Sequence, residues 1–147
     1  MEPLDLTARP PRSCYEELDG LMLLPRTIDK MRALLPGGNP GVYFLNAHIL
    51  GISGYLLQRL GVTEDAFRDA VASARNDTDV ATWLRSRTDV SQYPAINESL
   101  RKLRAKHVQD QEYFRGLYAD ALAADPQMEY ILDIIEADDR LMFGAQA

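Results

Sequence analysis

Proline punctuates the first 38 residues so densely that it dictates where this chain can start and stop a helix. Five of the eight prolines fall there, at Pro3, Pro10, Pro11, Pro25 and Pro36. Pro3, Pro10 and Pro11 lack a backbone donor and push Glu2, Arg9 and Pro10 towards β or polyproline backbone, so residues 1–13 read as an extended arm. Ser13 and Glu16 have the spacing of a capping box, which predicts a short helix from Cys14 to Leu18 stopped at Gly20. Pro25 suits the first turn of the next helix, and Pro36-Gly37-Gly38 ends it. At 100° per residue, Thr27, Ile28, Met31, Leu34 and Leu35 share one face of that helix, and Arg26, Asp29, Lys30 and Arg32 spread over the other.

Further along, Val42 to Leu45 reads as a short extended piece. A helix follows from about Ile52 to Leu60, ended by Gly61. Thr63 is a good N-cap, with Glu64 and Asp65 in the first turn where the helix dipole favours acids. That helix should run to about Ala74 and bury Phe67, Ala70, Val71 and Ala74. Asn76-Asp77-Thr78 breaks it and caps another short helix through Trp83 and Leu84. After the loop Thr88 to Tyr93, Pro94 starts a long helical region, and Asp125-Pro126 turns into a last helix. The expected architecture is all-α: one domain over 1–147 with about six helices, its Pro/Arg-rich arm clasping the body.

At 147 residues the chain is long enough for one sizeable core. Its formal net charge of -6 argues against a general nucleic-acid or anionic-membrane binder. The charge is uneven: residues 1–62 carry six acids and six bases, whereas residues 63–147 carry sixteen acids and ten bases. An acidic half beside a neutral, arginine-bearing half suggests that the two pair within the fold or between subunits of a homo-oligomer. Cys14 is the only cysteine, so no internal disulfide forms. Uninterrupted apolar runs such as Leu21 to Leu24 are too short for a membrane span or a signal-peptide core, and we read the chain as cytoplasmic. His48, His107 and Cys14 come from distant segments with no metal-ligand spacing, so neither a metal nor a cofactor is expected. Pro36-Gly37-Gly38-Asn39-Pro40-Gly41 lacks the Lys-Ser/Thr of a phosphate-binding loop and reads as a helix stop.

The run LDLTARPPRS at Leu4 to Ser13, with LPRTIDKMRA at Leu24 to Ala33, resembles a bacterial family catalogued only as domain of unknown function 5069. The acidic segment Leu132 to Arg140 is similar to that family's ending. His48 to Tyr55 departs from the family's pattern, and Cys14 stands where a proline is expected. The resemblance implies a shared fold and a bacterial origin, and it brings no activity with it.

Three constellations are candidates for chemistry. On the long helix after Pro94, His107 falls in the centre of an apolar face made by Leu100, Leu103, Phe114, Leu117 and Ala121. Asp110 lies three residues on and Tyr118 closes the arc. A carboxylate one turn from an imidazole fixes its tautomer and raises its basicity, as a general base requires. The plainer reading is a core-edge histidine, or a break near Val108 to Gln111 that makes the periodicity accidental. In the last helix, Asp139 falls within the face of Met128, Ile131, Leu132, Ile135 and Met142, with Asp138 at its border. A buried carboxylate needs a partner, for which Arg9, Arg12 or Lys30 would serve. The third constellation is the arm, whose arginines could hold a phosphate or carboxylate. Its plainer reading is an arm packed on the protein's own surface, its arginines satisfied by internal acids. Together these point to a small anionic metabolite bound by Arg9, Arg12, Arg26 and Lys30, with His107, Asp110 or Asp139 as proton carrier. The alternative is a non-catalytic interaction or assembly protein.

Overall fold

An Asp-Gly pair flanked by apolar residues is a strong hairpin signal, and at Asp19-Gly20 it overrides the capping-box spacing just before it. Both residues are left-handed, with φ of 56° and 79°, as a type I′ turn demands. Strands β1 (Glu17–Leu18) and β2 (Leu21–Met22) pair antiparallel across it, Glu17 opposite Met22 and Leu18 opposite Leu21. The short helix expected over Cys14 to Leu18 is therefore corrected to a turn and a strand. The Ser13 hydroxyl bonds the amide of Tyr15, not that of Glu16, so it closes a local turn.

The computed structural model describes residues 1–45 and 51–144. Among these it has eight α-helices and the two-stranded hairpin. The fold is thus mixed, and the expectation of an all-α domain with about six helices is corrected. Residues 1–96 and 97–147 form two compact units. No described helix is long and apolar enough to cross a membrane.

In the first unit, α1 (Leu24–Leu34) starts from Leu23, a non-glycine residue at φ 70°. Its carbonyl accepts from both the amide and the hydroxyl of Thr27, at 2.9 and 2.8 Å. Pro25 sits in the first turn of α1, as expected. The amphipathic reading of α1 does not hold. Arg26, Asp29 and Lys30 are buried along with Ile28 and Met31, and Leu34 is exposed. A helix buried on nearly every side must satisfy its charges internally, so its polar face marks paired charges and not solvent.

Helices α2 (Ile52–Leu60), α3 (Glu64–Ser73) and α4 (Asp77–Arg85) follow. Their ends are as the sequence implies: Gly61 terminates α2 at φ 69°, Thr63 caps α3 and Asn76 caps α4. Helix α1 packs against α2 and α3, and α3 against α4. Val42 to Leu45 forms no strand, and Val42 is exposed. Of the divergent segment His48 to Tyr55, residues 48–50 lie outside the described residues.

The arm runs along the C-terminal end of α1. Leu4 donates to the carbonyl of Arg32 at 3.2 Å, Asn39 donates to Leu4 at 3.0 Å, and Leu6 donates to Asn39 at 2.8 Å. These bonds make a parallel bridge between Asp5 and Asn39 and bury Leu6. Asp5 then turns the chain by accepting from the amide and hydroxyl of Thr7.

The long helix expected after Pro94 is broken into pieces. Helix α5 (Tyr93–Arg101) ends in an antiparallel bridge from Arg104 to Tyr130. A 3-10 turn follows at Ala105–His107, then α6 (Gln111–Leu117), α7 (Ala119–Ala124) and α8 (Ile131–Phe143). Phe114, Ala121 and Ile134 centre the core of the second unit, with Tyr118, Leu122 and Met128 packed against them. One helical wheel cannot be carried from Leu100 to Ala121, because the backbone changes direction at Arg104 and again at Asp110.

Candidate functional site

Asp29 is the residue from which the site is built. Its side chain is fully buried on α1, and a carboxylate there needs charge and hydrogen bonds to stay ionised. The arm supplies both. The backbone amide of Arg12 donates to Asp29 Oδ2 at 2.8 Å, and Arg12 Nε and Nη2 donate to its carboxylate at 3.0 to 3.2 Å. The other edge of the same guanidinium reaches Asp77, the first residue of α4, with Nη1 at 2.6 Å from Oδ2. Nη2 also reaches the carbonyl of Pro25. Burial alone would lower the pKa of Arg12, but the hydrogen bonds to Asp77 and then Asp29 outweigh it and raise the value above the ordinary arginine range.

Arg12 is thereby a fork between two elements: one edge holds α1, the other the start of α4. Nearly all of its donors are committed inside the protein. Beneath it, Arg26 Nη1 donates to the carbonyl of Arg12 at 3.1 Å, and the Arg26 guanidinium lies 5.4 Å from the ring centre of Tyr43. The plain reading of the arm, arginine satisfied by internal acid, describes Arg12. The expected pairing of the N-terminal arginines with the acidic half of the chain is also seen, in Arg12 with Asp77. Asp19 with Arg85 makes a second pair with the signs reversed.

Above the fork is an open depression of about 580 Å³. Arg9, Arg12, Arg32 and Arg75 line it, with Asp29, Asp77, Asn76 and Thr78. The two acids are bound to Arg12. Arg32 gives Nε to the carbonyl of Glu2, and its Nη1 stands 4.0 Å from Asp29. Arg75 is bound through Nε to Asp79, but its side chain is 86% exposed. The guanidinium of Arg9 has no hydrogen-bond or ion-pair partner among the described residues. Asn76 Oδ1 accepts the amide of Asp79 and so fixes the α4 N-terminus at the rim. Chemically this is a basic concavity, with four guanidinium groups against two carboxylates that both bond Arg12.

Of the residues expected to bind an anion, Arg9 and Arg12 line the depression, whereas Arg26 and Lys30 are buried and do not. His107 is exposed at the end of the 3-10 turn, and Asp110 caps α6 by accepting the amide of Tyr113 at 3.0 Å. Neither sits on a continuous helical face. Asp139 is 3% exposed on α8, and Asp138 is half-buried. None of these four residues lines the depression. Sequence reasoning missed Arg32, Arg75 and Asp77 as site residues. The cap at Asn76-Asp77-Thr78 was legible, but nothing local says that it meets the arm.

The model of a family described as a domain of unknown function, DUF5069, matches residues 8–141. The chain belongs to that family. No curated protein matches it. The DUF5069 match takes in Arg9, Arg12, Asp29, Arg32 and the Arg75 to Thr78 turn, so every side chain that shapes the depression except that of Met1 lies within the family domain.

Proposed function

We propose that this DUF5069 protein binds a small anionic metabolite, a phosphate or carboxylate compound, in the depression between the arm, α1 and the start of α4. One observation carries the reading: among the described residues four guanidinium groups and two carboxylates line one concavity, an excess of positive charge, and both carboxylates are bonded to Arg12. Arg9 and Arg75 then act as ligand-binding side chains, since planar guanidinium groups pair with phosphate or carboxylate oxygens at two points. Arg12 acts as the positioning residue that keeps Asp29 and Asp77 from competing for them. The proposal is one of binding and names no reaction. We place such binding in the cytoplasm of a bacterium.

A thermal-shift series with inorganic phosphate, phosphorylated metabolites and carboxylates tests it. A ligand held at ~100 times its dissociation constant adds about 2.7 kcal/mol, which moves the midpoint by several degrees. The expected result is a shift with at least one anion that collapses in the Arg9→Ala/Arg75→Ala double variant, while the unliganded midpoint stays put. A flat series would overturn the reading. A changed particle mass in the double variant would then favour the alternative, in which the same arginines join subunits.

A further inference from the structure

A second cavity, of about 470 Å³, adjoins the first along the turn from α3 into α4. Ala74 and Asp79 line this one, and Arg75 to Thr78 between them line the other. The Arg75–Asp79 ion pair is their common boundary. The floor of the second cavity is the half-buried indole of Trp83, with the Arg87 guanidinium 5.2 Å from its ring centre. Facing it on α3 are Ala66, Ala70 and Ser73, whose short side chains leave the space open. On α4 Asp79 and Trp83 are one turn apart, and the Arg75–Asp79 pair joins them to the arginine-lined depression. At 1.5 Å per residue, Trp83 lies about 9 Å along the helix from Asp77.

We infer that the anion bound by this protein carries a planar ring on a sugar-length spacer, as a nucleoside monophosphate does, with its phosphate among Arg9, Arg32 and Arg75 and its ring against Trp83. The inference rests on the anion-binding reading above and gives it a ligand class. A planar cation already lies over the indole, the kind of partner that a base would be, and the α3 side is lined by Ala66, Ala70 and Ser73 together with Asp69. Stacking a base on an aromatic side chain contributes about 1–3 kcal/mol. The ring therefore strengthens binding roughly fivefold or more over the same phosphate without it.

Calorimetric titrations with inorganic phosphate, ribose 5-phosphate and adenosine monophosphate, followed in parallel by tryptophan emission, test this. Trp83 is the chain's single tryptophan, so emission reports on the second cavity alone. Adenosine monophosphate is expected to bind roughly fivefold or more tighter than ribose 5-phosphate and to change the emission. Trp83→Leu should bring its affinity down to that of ribose 5-phosphate. Ala70→Leu, which narrows the cavity opposite the indole and leaves the indole in place, should weaken its binding likewise. Equal affinities for the two phosphates with unchanged emission would overturn the ring site while the anion site stands. Failure of both inorganic phosphate and ribose 5-phosphate to bind would remove the anion site, and this inference with it.

Discussion

At the scale of the residue, Arg12 determines more than any other side chain described. It joins the arm, α1 and α4 through one guanidinium, and the carboxylate it serves on α1 has no solvent exposure. Arg12→Ala should therefore destabilise the protein by about 2–3 kcal/mol, measured by chemical denaturation. The full penalty for stripping a buried pair is larger, but Arg12 is itself 28% exposed and its backbone amide still bonds Asp29. Arg12→Lys should recover only part of the loss, because a lysine ammonium cannot fork between two carboxylates. Full recovery with lysine would mean that charge alone, without geometry, holds this junction. Arg9 and Arg12 were both legible as anion-pairing residues, since each flanks Pro10-Pro11 in an arm that cannot be helical. Which of the two is internal and which is open is not legible, because Asp29 falls on the polar side of α1, where nothing local marks it as buried.

At the scale of the element, local signals worked where the deciding contacts are local. Gly61, Thr63 and Asn76 end or cap helices through bonds to near neighbours, and these boundaries were read closely. Where two local signals compete, or a long-range contact intervenes, local sequence does not decide the element. Ser13-Glu16 lost to Asp19-Gly20, and the helix after Pro94 was cut by the Arg104–Tyr130 bridge, whose partner is 26 residues away. The hairpin turn also carries a pH dependence. Arg85 on α4 bonds the Asp19 carboxylate at 2.5 and 2.7 Å and lowers its pKa, against the smaller opposing effect of burial. A carboxylate with a lowered folded pKa stabilises the protein above its unfolded value, near ~3.9, and that stabilisation is lost as pH falls through the folded value. Asp19→Asn removes the charge and keeps a residue well suited to a type I′ turn. The variant should thus lose part of the difference in stability between neutral and acid pH, with the hairpin intact. An unchanged pH profile would mean that this exposed pair contributes nothing measurable.

At the scale of the whole molecule, an anion meets a chain of net negative charge and a local excess of arginine. The chain as a whole carries a net charge of -6, yet the depression gathers four arginines around two acids. The two fields have different ranges. Raising ionic strength from ~0.01 to ~0.1 M shortens the screening length from about 30 to about 10 Å, which removes repulsion from distant acids before it weakens contacts with the arginines. The losses and gains on binding an anion therefore offset each other over this interval. We expect the calorimetric affinity for phosphate to change by less than about threefold across it. A site on a net-basic protein would lose affinity steeply over the same range, because distant charge there attracts the anion as well. A fall of tenfold or more would mean that long-range attraction dominates at the depression, and that the acids outside it do not oppose the arginines within.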